Sequence, residues 1–206
     1  MNKTVIHSIF PTPIYTTKID RGFTKQELQF VNEQKKHCKN NTGNINTKDN
    51  YILNRKQFKN IKKFLDKHCK EYLDTVICSK NNMQIYITQS WLNYTEANQY
   101  HHQHQHPNSV VSSVFYFDSD IKNDKILFTH PISYKQISPE IDKFNLWNSH
   151  TWFFPVETGD LYLFPSSTTH QVETKKGNNT RISLAFNTFI SGLIGEPECL
   201  NELNLG

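Results

Sequence analysis

A histidine-rich run followed by a β-prone run, YHHQHQHPNSVVSSVFYFD at residues 100–118, constrains this chain more than any other feature. His102, His104 and His106 alternate with other residues, so an extended backbone would place all three on one face of a strand. Two imidazoles at i and i+2 can converge on one metal ion, and neutral imidazole suits iron, zinc, copper and nickel alike. The run therefore predicts part of a metal site. The alternative is an exposed polar strand that binds metals only adventitiously.

Two later motifs strengthen the metal interpretation. His170 ends the segment GDLYLFPSSTTH and supplies a candidate third ligand; the alternative is a hairpin with an incidental histidine. Arg181 follows a Gly-Asn-Asn turn, so a hairpin would place it on the strand beside His170, and Ser183 would share its face. An inward-facing Arg in a β core is costly unless it meets an anion, and its planar guanidinium matches a carboxylate. That anion is either a ligand or a structural carboxylate.

Periodicity predicts helices first and strands afterwards. The predicted elements are an extended arm at 1–19, a helix at about 24–38 that begins at a Thr24–Glu27 capping box, a polar loop at 39–51, a helix at about 56–78, and seven or eight short strands from residue 83 onward. This order predicts a mainly β fold, a small sandwich or barrel, with both helices packed on one sheet. We expect one domain over 1–206, with helical support at about 23–80 and the β core at about 83–190.

Charge and hydropathy exclude several classes of protein. The net charge of +4 comes mostly from Lys scattered among Asp and Glu, without a basic stripe, so nucleic-acid binding is not expected. The N-terminus lacks the apolar core of a signal peptide, and the chain lacks an apolar run of membrane-spanning length. A soluble, cytoplasmic protein is therefore expected, and its four cysteines are expected to be free thiols.

The chain combines an HxH pair, a distal His about sixty residues later and an Arg-x-Ser about ten residues beyond that His. This combination resembles the iron(II)/2-oxoglutarate-dependent oxygenases. Within that superfamily the chain is most similar to a subgroup common in phages and marine bacteria, which suggests a phage-encoded enzyme acting in the host cytoplasm. The resemblance runs end to end and includes the segments IFPTPIY, SWLN, HQHPNSVVSSVFYF, TGDLYLFPSSTTH, TRISLAFNTF and SGLIGEPECLNEL.

The resemblance implies a double-stranded β-helix of the jelly-roll or cupin type. It implies that His104, His106 and His170 bind Fe(II) and that Arg181 with Ser183 binds 2-oxoglutarate, the co-substrate that is consumed with O2. By analogy the activity is hydroxylation of an unknown substrate, a protein prolyl side chain or another group. One departure stands out, because His106 occupies the position where most of the superfamily has a carboxylate. Three neutral ligands leave the metal site one negative charge poorer.

Several alternatives remain open for the ligand set. His102 with His104 is a second candidate pair, and Asp118 or Asp120 would supply a carboxylate if the strand curled. Asn93 and Tyr116 are candidates to reach the co-substrate, although ordinary strand packing also explains them.

Alternatives also remain for the function. One is a cupin-type dioxygenase that uses three His and no 2-oxoglutarate, and another is a metal-binding structural module without turnover. Loop 39–51 and segment 131–150 are expected to shape the substrate mouth, but neither identifies the substrate.

Overall fold

The computed structural model describes residues 4–130, 137 and 139–206. Within these residues the α-helices are α1 (Lys25–Gln34) and α2 (Lys59–Tyr72). The strands, in chain order, are β1 (Tyr15–Lys18), β2 (Cys38–Asn41), β3 (Asn44–Thr47), β4 (Met83–Thr95), β5 (His101–His104), β6 (Val111–Asp118), β7 (Lys125–Thr129), β8 (Thr151–Pro155), β9 (Asp160–Pro165), β10 (Thr169–Val172), β11 (Arg181–Ile194) and β12 (Leu203–Asn204).

The strands form a larger and a smaller antiparallel sheet. The larger sheet has the order β1-β9-β6-β11-β4-β3-β2, with β12 paired to the end of β11, and the smaller has the order β5-β10-β7-β8. The chain alternates between the two sheets from β4 to β7 and again from β8 to β11. This arrangement is the double-stranded β-helix. The predicted fold class, mainly β with two N-terminal helices, is confirmed.

The two faces of the larger sheet have different roles, because successive residues of a strand point to opposite sides. Along β11, Ile182, Leu184 and Phe186 are buried in the main hydrophobic cluster together with residues of α1 and α2. Arg181 and Ser183 alternate with them and therefore face the smaller sheet. The apolar residues that fill the space between the sheets are Tyr116, Ile126, Phe128, Val156, Tyr162 and Phe164.

Both predicted helices are present, with irregular ends. The capping box of Thr24 and Glu27 opens α1, and a 3-10 turn, Lys35–His37, follows the helix. A 3-10 turn precedes α2, and a π-helical turn, Leu73–Ile77, follows it. Val76, within the helix predicted at about 56–78, is 39% exposed because it lies in that π turn, where the helical register has changed.

The prediction of a loop at 39–51 is wrong for most of that segment. Strands β2 and β3 form a hairpin around Gly43, which has φ +90, and β3 pairs with β4 through Ile45↔Tyr94. Asparagine has low strand propensity, but the free edge of β4 provides the hydrogen bonds that make the hairpin a sheet extension. The hairpin turn also reaches the histidine run, where His102 Nδ1 lies 3.4 Å from the Thr42 carbonyl.

We call one end of the barrel the mouth. The ends of the strands that carry the histidines lie there. There β7 ends and β10 begins, paired Thr169↔Thr129, while β9 ends and β6 begins, paired Val111↔Pro165. Of the segment 131–150 expected to shape the substrate mouth, 131–136 and 138 lie outside the described residues, and 139–150 contain no helix or strand. Neither helix is long and apolar enough to cross a membrane within the described ranges.

Candidate metal centre and anion pocket

Three of the predicted metal ligands meet at the mouth. His104 ends β5, His106 follows two residues later, and His170 of β10 is the direct strand partner of His104. Their ring centroids are 4.3 Å apart for His104 and His170, 4.8 Å for His104 and His106, and 5.1 Å for His106 and His170. One ring nitrogen from each lies within 4.8 Å of the others, a spacing that one ion could bridge after small side-chain adjustments.

Backbone carbonyls orient two of these imidazoles for metal binding. His104 Nδ1 donates to the His102 carbonyl at 2.7 Å, and His170 Nδ1 donates to the Thr168 carbonyl at 3.0 Å. A proton held on Nδ1 leaves the Nε2 lone pair free, which is the usual arrangement for a metal-binding His. His106 Nδ1 lies 3.4 Å from Asn187 Nδ2. A proton on His106 Nδ1 would therefore require the Asn187 amide to be flipped, so that its oxygen faces the ring and accepts.

The environment keeps the triad neutral. Burial, with a smaller contribution from nearby His104, lowers the pKa of His106 to about 4 and that of His170 to about 3. Burial also lowers the pKa of His104 itself. A divalent cation competes with protons for imidazole nitrogen, so these shifts favour metal binding at neutral pH. The residues present therefore fit a divalent metal ion held by three neutral nitrogen ligands.

The histidine run does not place His102, His104 and His106 on one face. A bulge interrupts the pairing of β5 with β10, where His104 opposes His170 but His101 opposes Val172. The bulge brings His101 onto His104, with stacked rings 4.7 Å apart. His102 accordingly groups with His101 and His104, and His106 groups with His104 and His170.

The residues predicted to bind an anion, Arg181 and Ser183, are buried on the face of β11 toward the smaller sheet. Arg181 is 3% exposed, and its Nη2 has no hydrogen-bond partner among the described residues. Ser183, next along the same face, is the strand partner of Asn93 on β4 and of Tyr116 on β6. Asn93 Oδ1 and the Tyr116 hydroxyl are likewise buried without a partner. Buried polar groups are normally paired, so the two unpaired donors, Arg181 Nη2 and the Tyr116 hydroxyl, fit an anionic guest such as a carboxylate, whereas Asn93 Oδ1 can only accept.

One expectation about this region is wrong, and one alternative for the ligand set finds no support. Arg181 does not lie on the strand beside His170, because residues 173–180 carry the chain from β10 in the smaller sheet to β11 in the larger one. Asp118 and Asp120 do not join the histidines either. Asp118 accepts a hydrogen bond from Asn179, and Asp120 is engaged by its own turn.

Sequence reasoning missed four residues of the site region. Asn187 was detectable, because it continues the alternation Arg181, Ser183 along β11. His101 was not, because a bulge places it. Asp124 forms ion pairs with both Lys175 and Arg181. Neither Asp124 nor Lys175 was predicted, because both lie in connections between strands that carry no sequence signature.

Comparison with known proteins gives one family. A family model described as "Putative 2OG-Fe(II) oxygenase" matches residues 89–187, a span that contains the histidine triad and Arg181. No curated protein matches the chain.

Three of the solved structures that share the fold illustrate its range. An oxidoreductase of the 2OG-Fe(II) oxygenase family from Burkholderia pseudomallei is 14% identical, with a TM-score of 0.53 over 84% of this chain and 83% of that chain. HygX from Streptomyces hygroscopicus, with nickel, 2-oxoglutarate and hygromycin B bound, is 12% identical, with a TM-score of 0.58 over 86% and 82%. The α-ketoglutarate-dependent epimerase SnoN from nogalamycin biosynthesis is 11% identical, with a TM-score of 0.61 over 86% and 76%.

At these identities the solved structures establish the fold, and the family model covers the strands that carry the site. Over residues 89–187 the chain is therefore similar to the 2OG-Fe(II) oxygenases, whose fold it shares.

Proposed function

We propose that this protein is an Fe(II)- and 2-oxoglutarate-dependent dioxygenase that hydroxylates its substrate. His104, His106 and His170 hold the metal, and Arg181 with Ser183 holds the distal carboxylate of 2-oxoglutarate. The observation that carries the proposal is that one barrel contains a neutral histidine triad and a buried guanidinium whose Nη2 finds no partner in residues 4–130, 137 and 139–206. When bound, Fe(II) and 2-oxoglutarate supply the oxidising chemistry, in which O2 is consumed and succinate and CO2 are released.

The protein's own residues orient and enclose this site. The carbonyls of His102 and Thr168 fix the ring orientation of two ligands. Phe164 and Phe128 pack near His170, with ring centroids 4.7 and 6.5 Å from its own, and exclude water from one side of the triad. A dry surrounding strengthens the attraction between Arg181 and a carboxylate.

The free Nη2 of Arg181 also argues against the two rival functions. A cupin-type dioxygenase that works without 2-oxoglutarate, or a structural metal site, has no need for a buried cation that lacks part of its hydrogen bonding. Leaving a buried donor unpaired costs about 1–3 kcal/mol, and more for a charged group. A carboxylate co-substrate explains why such a cost is retained.

Anaerobic reconstitution tests the function directly. Fe(II)-loaded protein is titrated with 2-oxoglutarate, and a visible metal-to-ligand charge-transfer band is expected, followed by succinate formation when air is admitted. Arg181→Ala should abolish 2-oxoglutarate binding and retain metal, because Asp124 still pairs with Lys175 in that variant. Arg55→Ala is the matched control, since Arg55 is exposed and pairs with Asp49. Absence of both the band and succinate in the native protein would refute the proposal.

For the substrate we propose a prolyl side chain within a peptide. A groove of about 550 Å³ at the mouth is lined by Phe10, Trp147 and Trp152, and no Asp, Glu, Lys or Arg occurs among its described lining residues. Phe128 lines this groove and also packs near His170. Aromatic grooves of this kind bind proline-rich peptides in the extended polyproline conformation.

Succinate release in the presence of unstructured proline-containing peptides tests this class, with addition of one oxygen atom to the peptide followed by mass spectrometry. The control peptide has alanine in place of proline. Trp147→Ala should raise the KM for the peptide and leave the Kd for 2-oxoglutarate unchanged. Equal turnover with both peptides would exclude prolyl hydroxylation.

A further inference from the structure

A buried group of three charges lies behind the anion pocket. Asp124, in the turn before β7, accepts from Arg181 Nη1 at 3.1 Å and lies 3.3 Å from Lys175 Nζ. The side chains of Asp124 and Lys175 are 0% exposed, and that of Arg181 is 3% exposed. The turn backbone fixes the carboxylate further, because the amide of Asp120 donates to Asp124 Oδ2 at 2.8 Å.

This group contains two cations and one anion, and the hydrogen bonds show where the unmatched charge lies. Lys175 Nζ is saturated, since besides Asp124 it donates to Asn179 Oδ1 at 2.8 Å and to the Lys176 carbonyl at 3.0 Å. Within the described part of the chain, Arg181 forms an ion pair with Asp124 alone, and its Nη2 has no hydrogen-bond partner there. The positive charge that lacks an anion therefore lies on Arg181, which is on the face of β11 toward the smaller sheet.

Two opposing effects of Asp124 follow from this geometry. It holds the guanidinium in place through Nη1, and it also cancels part of the charge that a ligand carboxylate would meet. A buried Arg–Asp pair alone would be neutral and would compete with the ligand. Lys175 shares the same carboxylate, so it offsets Asp124 and restores a net charge of one at the pocket.

We propose that Lys175 is a positioning and charge-balancing residue that, acting through Asp124, keeps Arg181 oriented yet cationic for a ligand with a distal carboxylate. The inference rests on the proposed function, because it concerns the same co-substrate pocket. It makes Lys175 and Asp124 determinants of selectivity for a dicarboxylate over a 2-oxo acid with only one carboxylate.

Binding to the Ni(II)-loaded protein, measured by calorimetry without turnover, tests this role with two probes. 2-Oxoglutarate carries the distal carboxylate, and 2-oxopentanoate has the same chelating end but lacks it. Lys175→Met should weaken 2-oxoglutarate binding about tenfold or more and change 2-oxopentanoate binding less than about twofold. Lys125→Met is the matched control, because Lys125 forms a partly exposed pair with Glu173 at 2.8 Å, and it should change neither.

Asp124→Asn gives the opposite sign and keeps the test valid if Lys175→Met folds poorly. The amide oxygen still accepts from Arg181, but the competing charge is gone, so 2-oxoglutarate should bind at least as tightly as to the native protein. The double variant Lys175→Met/Asp124→Asn should recover the affinity lost in Lys175→Met. A merely structural role predicts that both single variants weaken both probes, and that result would overturn the inference.

The native protein separates this inference from the function on which it rests. If native protein fails to bind 2-oxoglutarate, the proposed function fails and the inference fails with it. If native protein binds 2-oxoglutarate and Lys175→Met binds it equally well, only the role of Lys175 is refuted.

Discussion

Tyr116→Phe is expected to stabilise the metal-free protein while weakening co-substrate binding. Tyr116 is 1% exposed, its hydroxyl has no partner among the described residues, and burial raises its pKa. A buried polar group without a hydrogen bond costs about 1–3 kcal/mol, so its removal should return about 1 kcal/mol. For a chain of 206 residues that corresponds to an increase in Tm of about 2–4 °C.

The same hydroxyl has a different value when the pocket is filled. Tyr116 is the strand partner of Ser183. Ser183 is two residues from Arg181 and therefore on the same face of β11. A hydrogen bond from the hydroxyl to a bound carboxylate is worth about 1.5 kcal/mol or more, so the Kd for 2-oxoglutarate should rise about tenfold.

Tyr162→Phe is the matched control, because Tyr162 belongs to the same apolar cluster but its hydroxyl donates to the Pro155 carbonyl at 2.9 Å. That variant should lose about 1 kcal/mol of stability and bind 2-oxoglutarate normally. Urea denaturation of the metal-free proteins and calorimetry of the Ni(II)-loaded proteins give the two quantities. If Tyr116→Phe lowers the free energy of unfolding as the control does, or leaves the Kd for 2-oxoglutarate unchanged, the Tyr116 hydroxyl is not an unpaired group that binds the ligand, and the reasoning is refuted.

Two further predictions concern the histidine triad. His106→Asp adds one negative charge to the ligand set, so the Fe(II) dissociation constant, measured anaerobically against a competing chelator, should fall about tenfold; weaker binding would show that the geometry accepts only imidazole. In the metal-free protein the free energy of unfolding should decrease as pH falls from about 6.5 to 5, because the unfolded imidazoles take up protons there while folded His106 and His170 stay neutral down to about 4 and about 3. Each contributes a slope of up to about 1.4 kcal/mol per pH unit. Replacing both with Gln should flatten the dependence measured by urea denaturation, and an unchanged slope would contradict it.

Local patterns predicted the elements whose neighbours in sequence are also their neighbours in space. The capping box of Thr24 and Glu27 needs only three residues of separation, and it opens α1 as predicted. Helical periodicity predicted the helix at about 56–78, and Ile61 and Leu65, four residues apart on α2, are both buried. Alternation along β11 likewise placed Arg181 and Ser183 on one face.

Long-range pairing decided what these patterns could not. The Asn-rich hairpin of β2 and β3 forms because β3 pairs with the free edge of β4. The sequence of the hairpin itself does not predict that pairing. The connection at 173–180 resembles a hairpin turn, yet it crosses between sheets and separates His170 from the strand of Arg181. A bulge in the pairing of β5 with β10 decided which histidines lie near each other, so that His104 groups with His106 and His170 and also with His101 and His102.

By itself, the sequence determined which chemical groups were available: a histidine run, a distal histidine and an arginine that needs an anion. Period-two alternation and residue type are local properties, so they can be recognised in the sequence without knowledge of the fold. Only the tertiary structure decided that His170 opposes His104, and that Asp124 pairs with both Lys175 and Arg181. It also decided that Arg181 Nη2 is buried without a partner among the residues that the structure describes. The reason is that burial and charge balance are properties of contacts between distant segments, and a carboxylate in a turn acquires its role only when two cations are folded against it.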